Sequence, residues 1–342
     1  MYDDAKPELG WHRAAGDPHR IGLILGRAGR DAVREVLLGS DYWADVMAHA
    51  QSAVITEMAQ NVQSLFPAIW QELTGLAEGL ELPLVQVLTW NCRGDLMTNV
   101  PDGCTTVQIP GDAPVIAHNE DGLPGFHGHA FLAEVAPQGA PGFTSFCYPG
   151  SLPGHTFAVT GAGIVQAVNN LRLRGVVPKV PRMVLGRALL DCATLDAAIS
   201  LLETHNESGG FHMTLAQAGD PRVMSVEYGG GHCAAVPIET PSMHTNHALR
   251  MKTGPEGQLV TRSSADRQAH GTTLVEAGTA PLDILRDTSG EGLPIHRTEG
   301  DDPDNENTLA TAVFHLEGTG VDWAVHDQSS RDPVYSGRVE RA

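Results

Sequence analysis

The sequence predicts an α+β fold, a four-layer αββα sandwich in which two packed sheets lie between helical layers. Apolar residues recur at three- and four-residue spacing from about residue 29 to 98, which indicates an N-terminal helical segment. After residue 104 the period changes to two, as in β-strands. Two helices, at 181–190 and 194–204, interrupt the strands, and Thr194 is the expected N-cap of the second.

The N-terminal spacing predicts one long helix with a single buried face, capped by Asp41. A short helix at 84–90 follows the turn Leu82-Pro83. The acidic, polar segment Glu299–Asn307 is predicted to be a surface loop. Strands are predicted at 104–109, 114–119, 130–136, 156–160, 164–168, 212–217, 222–228, 233–238, 307–316 and 321–327, with glycine-containing hairpin turns at 160–163 and 229–231.

The composition argues against several classes of function. The chain of 342 residues carries 22 basic and 41 acidic residues, a net charge of −19, and it has no Lys/Arg cluster for nucleic acid or a membrane surface. No apolar run reaches transmembrane length, and the first residues lack a signal-peptide pattern. The five cysteines are scattered without a C-x-x-C pair, so we expect a reducing, cytoplasmic setting without disulfides.

The segment 102–106, Asp-Gly-Cys-Thr-Thr, is a candidate for self-cleavage. Gly103 has no side chain to obstruct attack on its carbonyl by the thiol of Cys104. Hydrolysis of the resulting thioester would leave Cys104 as a new N-terminus that carries both a thiol and an α-amine. An α-amine has an unperturbed pKa of about 8, so it can accept the thiol proton near neutral pH. The alternative is a cysteine that begins a strand and packs in the core.

Motifs in the same order resemble the acyl-coenzyme A:6-aminopenicillanate (isopenicillin N) acyltransferase family of N-terminal-nucleophile (Ntn) hydrolases. Their catalytic layout is similar to that of choloylglycine hydrolases. The matching segments are 102–106, 118–121, a middle block from Gly161 to Arg187, Thr245-Asn246-His247, and Arg297. The resemblance implies a helical N-terminal piece, 1–103, and a β-rich catalytic piece, 104–342, that together form one structural domain.

The resemblance implies a catalytic group of Cys104, Asp121, Asn246 and Arg297. A hairpin would bring Asp121 near Cys104, where its carboxylate holds the α-ammonium or orients the amine. Glu120 stands where the family carries an aromatic residue. Neighbours in a strand face opposite sides, so only one of Glu120 and Asp121 should point toward the thiol.

Asn246 offers a side-chain N–H for an oxyanion, and a main-chain N–H near Thr105 would complete that site. Arg297 would neutralise developing charge or fix Asp121. His118 becomes a candidate base if Cys104 is an ordinary thiol. The alternatives are that Asn246 is a turn asparagine, that Arg297 forms a surface ion pair, and that Asp121 is a solvated turn aspartate.

The predicted function is hydrolysis of a linear amide through a thioester, with acyl transfer to an amine as the alternative. A small-molecule amide is the expected substrate, no cofactor is predicted, and the two cleavage fragments are expected to stay associated; a homo-oligomer is left open. Acidic residues near the nucleophile favour an amine-bearing substrate. Two other interpretations remain: a histidine-based metal hydrolase, using His127 and His129, His244 and His247, or His118 before the two carboxylates, and a non-enzymatic binding protein.

Overall fold

Fourteen strands and ten α-helices make up the part of the chain that the computed structural model describes, residues 8–101, 103–253, 256–299 and 304–341. The strands are β1 (Gly10–Gly16), β2 (Gly103–Ile109), β3 (Val115–Gly122), β4 (Phe131–Pro137), β5 (Phe143–Cys147), β6 (Phe157–Thr160), β7 (Ile164–Leu171), β8 (Gly210–Gln217), β9 (Val223–Gly229), β10 (His232–Pro237), β11 (Ser242–His244), β12 (Asn307–Leu316), β13 (Gly320–Asp327) and β14 (Tyr335–Glu340). The helices are α1 (Pro18–Ala32), α2 (Asp41–Met47), α3 (Ala53–Leu65), α4 (Pro67–Leu80), α5 (Leu84–Asn91), α6 (Arg93–Leu96), α7 (Arg182–Leu189), α8 (Leu195–Thr204), α9 (Arg262–Glu276) and α10 (Pro281–Leu285). A π-helical turn, Val33–Leu37, continues α1, and a 3₁₀ turn spans Pro124–Phe126.

The strands form two sheets. The larger has the order β1-β4-β5-β6-β7-β8-β9-β10, and the smaller has the order β11-β2-β3-β12-β13-β14. Among these described strands, β1 and β4 pair in parallel and the other neighbours are antiparallel. The sheets meet through β2, β3 and β7, with both apolar contacts, such as the rings of Phe157 and Phe314, and buried polar ones.

Helices cover the outer face of each sheet, which confirms the predicted four-layer α+β arrangement. On the larger sheet, α1 packs against β1 and β4, and α8 packs against β8, β9 and β10. On the smaller sheet, α9 packs against β11, while α10 packs against β2, β3 and β12. A separate apolar cluster, which includes Val107, Ala117 and Ile284, fills the space beneath α9 and α10. No helix among the described residues is both long and apolar enough to cross a bilayer.

The N-terminal segment differs from the expected single long helix. Most of its apolar positions are buried or half-buried, although Leu65 is 49% exposed, and they belong mainly to three separate helices, α2, α3 and α4. Between α3 and α4, Phe66 leaves helical geometry (φ −133°, ψ 58°), because it precedes Pro67 and proline disfavours the α region there. The cap of α2 is Ser40, whose hydroxyl accepts from Trp43 N at 3.1 Å, and Asp41 is the first helical residue.

Several other elements were absent from the prediction. The N-terminal piece also contains the strand β1, so it is not purely helical. The elements α1, α9, α10, β5, β11 and β14 were likewise missed. In contrast, α5, α7 and α8, the Thr194 cap and the ten predicted strands are present, with ends displaced by at most three residues.

The prediction of a surface loop at 299–307 is wrong for its last two residues. Glu306 is 1% exposed and Asn307 is 6% exposed, so both are buried. Asp102 and residues 300–303 lie outside the described residues. The position of Glu306 beside the start of β2 bears directly on the candidate site.

Candidate active site

Cys104 is the second residue of β2 and lies opposite Glu120 on β3. Residues paired across an antiparallel ladder project to the same face, so the thiol and the Glu120 carboxylate face each other. The Sγ–Oε2 distance is 4.0 Å, within the range of an S–H···O contact. Both residues are buried, since Cys104 is 3% and Glu120 is 2% exposed.

His118 shares this face, two residues before Glu120. Its Nε2 lies 3.1 Å from Glu120 Oε2, and its Nδ1 lies 2.8 Å from Thr106 Oγ1. Burial lowers the pKa of His118 to about 3, so the ring is neutral near pH 7. Glu120 therefore contacts a neutral imidazole and a thiol rather than a cationic histidine.

Asp121 lies on the opposite face of β3, across from Gly103. The expected alternation holds, with Glu120 rather than Asp121 beside the thiol. Asp121 Oδ1 accepts a hydrogen bond from Thr308 Oγ1 at 2.6 Å, whereas its buried Oδ2 has no hydrogen-bond partner among the described residues. A free carboxylate oxygen thus lies next to the residue pair Gly103–Cys104.

Asn246 holds the main chain of Cys104. Its Oδ1 accepts from Cys104 N at 3.0 Å, and its Nδ2 donates to Asn170 O at 3.2 Å. The amide oxygen therefore faces the nitrogen of Cys104. The predicted use of the Asn246 N–H on an oxyanion requires that the bond to Asn170 be exchanged.

Arg267, on α9, belongs to the same site and was not predicted. Its Nη1 donates to Cys104 O at 2.6 Å and to Thr105 Oγ1 at 2.8 Å, and its Nη2 donates to Asn246 Oδ1 at 2.7 Å. The side chain is fully buried, and burial lowers its pKa from the usual arginine value. Arg267 thus fixes the carbonyl of Cys104 and the side chains of Thr105 and Asn246.

Glu306 is a second residue that was missed. It accepts from Arg172 Nη2 at 2.8 Å and from Arg297 Nη1 at 3.1 Å. Burial raises the pKa of Glu306 to about 7, although both arginines act in the other direction. A Cβ at position 103 would collide with its carboxylate, so only glycine fits there without displacing Glu306.

Arg297 reaches Asp121 indirectly. Arg297 N donates to Thr308 Oγ1 at 3.0 Å, and Thr308 in turn donates to Asp121. Its guanidinium instead binds Glu306 and Ser263 Oγ. The structure therefore brings all the predicted residues to one end of β2 and β3, with Cys104, His118 and Glu120 on one face and Gly103, Thr105 and Asp121 on the other.

A cavity of about 250 Å³ borders the segment just before Gly103. Its lining includes Tyr42, Pro101, Leu123, Arg172 and Glu306. Because Pro101 forms part of the wall, movement of the chain before Gly103 would change the shape of this cavity.

The histidine pairs weighed as metal ligands have other contacts. His127 pairs with Glu8 at 3.0 Å, and His129 lies 4.0 Å from Glu35. His244 pairs with Glu227 at 2.9 Å, and His247 Nδ1 contacts Ser264 Oγ at 2.8 Å. The group of potential ligands found in the described ranges is Cys104, His118 and Glu120, whose ligand atoms all lie within 4.8 Å of one another.

Residues 109–330 match the family model of the acyl-coenzyme A:6-aminopenicillanic acid acyl-transferases, which is more than half of the chain. The chain belongs to this family. The match includes Glu120, Asp121, Asn246, Arg267 and Arg297, as well as Glu306, whereas Cys104 lies just before it.

Other comparisons add little to the acyl-transferase family assignment. A solved structure of a mutant of conjugated bile acid hydrolase from Clostridium perfringens is similar, with 11% identity and a TM-score of 0.43. The similarity covers 69% of this chain and 92% of that one. No curated protein matches the sequence.

Proposed function

We propose that this chain is a self-processing amide hydrolase with Cys104 as its nucleophile. The observation that carries the proposal is the way the residue is held. Asn246 binds its nitrogen at 3.0 Å, Arg267 binds its carbonyl oxygen at 2.6 Å, and its thiol faces a buried carboxylate. Any buried cysteine needs partners for its main chain, but one that merely packs in a core does not need a buried carboxylate beside its thiol.

Self-cleavage begins with attack of Cys104 Sγ on the carbonyl carbon of Gly103. In the uncut chain the nitrogen of Cys104 is an amide and cannot act as a base. Glu120, 4.0 Å from the sulfur, is the group that accepts the thiol proton in this step. The Gly103–Cys104 C–N bond breaks, the nitrogen gains a proton, and water hydrolyses the thioester to leave a carboxylate at Gly103 and a free thiol at Cys104.

After cleavage the α-amine of Cys104 inherits the position of its amide nitrogen, beside Asn246 Oδ1. The unpartnered Oδ2 of Asp121 is suited to bind the protonated amine. Arg267 opposes a second positive charge nearby, which favours the neutral amine that accepts the thiol proton. Asp121 thus favours the protonated form of the Cys104 amine, whereas Arg267 favours its neutral form.

In turnover the thiolate attacks a substrate amide carbonyl and forms a thioester. The amine of Cys104 passes the thiol proton to the leaving nitrogen, and the C–N bond breaks. The oxyanion is bound by Asn246 and a main-chain N–H near Thr105. Water then releases the acid and restores the thiol.

Acyl transfer to an amine is the second candidate, and the family match favours it, because the family is named for an acyl transfer. The two activities share every step up to the thioester. Hydrolysis is preferred here because water is always present. Incubation with an N-acyl amine, with and without a second amine, separates them by the product formed.

The substrate we propose is an amide with an amine-bearing component. Glu120 and Asp121 supply two buried carboxylates at the site. Asp95 does not add to them, because its carboxylate accepts from Gly209 N at 2.6 Å and Arg182 N at 3.0 Å. Free cysteines in the described chain are compatible with the reducing, cytoplasmic setting that we propose.

Intact mass spectrometry tests the central step. The wild type should give two masses, for fragments of 103 and 239 residues, and Cys104→Ala should give one. Cys147→Ala is the matched control, because Cys147 is an equally buried cysteine outside the site, and it should cleave like the wild type. A wild type that keeps one mass under chelating, reducing conditions contradicts self-processing.

A further inference from the structure

The orientation of the His118 ring toward Glu120 has no role in the proposed reaction. Thr106 Oγ1 donates its single proton to Asn169 Oδ1 at 2.8 Å. The orientation of Asn169 is fixed because its Nδ2 donates to the carbonyl of His244 at 3.2 Å. Thr106 Oγ1 can then only accept from His118, so the ring proton is on Nδ1 and Nε2 carries a lone pair.

That lone pair points at Glu120 Oε2, only 3.1 Å away. Two acceptors at this distance repel each other unless a cation lies between them, either a proton or a metal ion. The third neighbour is Cys104 Sγ, at 4.0 Å from the same oxygen. A nitrogen, an oxygen and a sulfur donor therefore converge on one buried point.

We propose that Cys104 Sγ, His118 Nε2 and Glu120 Oε2 form a site for a thiophilic divalent metal ion, such as Zn²⁺, that blocks the nucleophile. Donors around a tetrahedral zinc ion lie roughly 3–4 Å apart, given bond lengths of about 2.0–2.3 Å. The three donor atoms already lie within 4.8 Å of one another. A fourth position is left for water.

The charges fit a divalent ion. A thiolate and a carboxylate together carry two negative charges, and burying charge costs free energy. One divalent cation neutralises both. Arg267 is directed elsewhere, because it binds the carbonyl oxygen of Cys104 and the side chain of Thr105, which faces the other side of β2.

The histidine is oriented as a metal ligand should be. Metal-bound histidines usually donate their second ring N–H to an acceptor, which fixes the tautomer. His118 donates Nδ1–H to Thr106, and Thr106 is in turn fixed by Asn169. Because Nδ1 carries the ring proton, Nε2 can bind a metal ion without losing one.

The proposal that the ion blocks Cys104 rests on the proposed function, whereas the proposal of a metal site does not. A metal-bound thiolate cannot attack Gly103 or a substrate, so the ion would delay cleavage and inhibit turnover. Because Cys104, His118 and Glu120 are at most 3% exposed, uptake by the folded chain should be slow.

The test is Co²⁺ binding to the chelator-treated protein, whether or not it has cleaved, followed by absorption in the thiolate-to-cobalt charge-transfer region. The wild type should bind one equivalent and develop this band, and bound Zn²⁺ should suppress it. Cys104→Ser should lose the band, whereas Cys147→Ser, which removes another buried thiol, should keep it. His118→Gln and Glu120→Gln should each weaken binding by about tenfold or more.

Thermal unfolding of each variant without metal shows whether it folds, and Co²⁺ should stabilise only the variants that keep all three ligands. A wild type without the band, or a band that survives in Cys104→Ser, overturns the site, whether or not the chain cleaves. A wild type that shows the band but never cleaves after metal removal instead contradicts the proposed function and leaves the site standing.

Discussion

Arg267 is the residue that ties the nucleophile's strand to the helical layer. It is buried on α9 and uses its planar fork on three acceptors, Cys104 O, Thr105 Oγ1 and Asn246 Oδ1. These three bonds fix the carbonyl of Cys104 and the asparagine that holds its nitrogen. A lysine keeps the charge but cannot make the same set of bonds.

We therefore expect Arg267→Lys to slow self-cleavage by about a hundredfold, because small displacements of reacting groups have effects of that size. The rate is followed by mass spectrometry of protein synthesised in a cell-free reaction.

Arg262→Lys is the matched control, since Arg262 lies on the same helix, its side chain is 78% exposed and it pairs only with Asp266 among the described residues. It should cleave like the wild type. Equal rates for both variants, with both folded by circular dichroism, would show that Arg267 does not position the nucleophile.

The segment 102–106 led to Cys104, and the ordered motifs that resemble the acyltransferase family led to Glu120, Asp121 and Asn246. Arg267 could not be found in this way. It lies in a helix that is mostly polar, so no apolar spacing marks it. A sequence signal did exist in the N-cap Thr261, whose hydroxyl accepts from Ser264 N at 3.2 Å. Glu306 was missed because its acidic neighbours suggested a solvent-exposed loop.

At the level of elements, the close crossing of α1 and α4 determines how the N-terminal layer packs. The two helices approach through glycines. A Cβ on Gly22 would overlap the main-chain oxygen of Glu72, and one on Gly75 would overlap the main-chain oxygen of His19. A methyl group can be accommodated only if the two backbones separate.

Gly22→Ala should therefore lower the free energy of unfolding by about 1–3 kcal/mol, the range for overpacked cores, although alanine is the better helix former. Urea denaturation of the chelator-treated Cys104→Ala background, which stays in one piece under the proposed mechanism, measures the change.

The same substitution at Gly39 is the control. A Cβ added to Gly39 would meet no described atom within 4 Å, and Gly39 has no positive φ, so Gly39→Ala should be neutral or slightly stabilising. If Gly22→Ala is as stable as Gly39→Ala, the helices do not depend on this close approach.

Elements with strong periodicity were predicted with the correct type, although β7 ends three residues later than expected. The strands β7, β8 and β9 and the helix α8 bury regular sets of apolar residues, and their patterns are visible in the sequence. Three of the four missed strands, β1, β11 and β14, lie at sheet edges, where short or half-exposed strands need little apolar alternation, whereas the fourth, β5, is a short interior strand. One long helix was predicted through Phe66-Pro67 because the apolar spacing continues there. The backbone, however, leaves helical geometry at Phe66.

For the molecule as a whole, residues before and after the proposed cleavage site share one hydrophobic core. The strand β1 adds to the larger sheet by pairing with β4 over seven residues. Buried residues of α1, α3 and α4, such as Ile21, Met58 and Leu73, belong to the same core as Phe146 and Val168 of the sheet. The apolar face of the N-terminal segment predicted its burial, but the pairing of β1 with β4 of the larger sheet was not predicted.

We therefore predict that the two fragments stay together after cleavage, because separation would expose that core and open the β1–β4 edge. Size-exclusion chromatography of the cleaved wild type should give one peak that contains both fragments, at the elution volume of uncleaved Cys104→Ala. In concentrated urea the wild type should resolve into two components, whereas Cys104→Ala stays one. Elution of the fragments as separate species without denaturant would mean that the shared core does not hold them together.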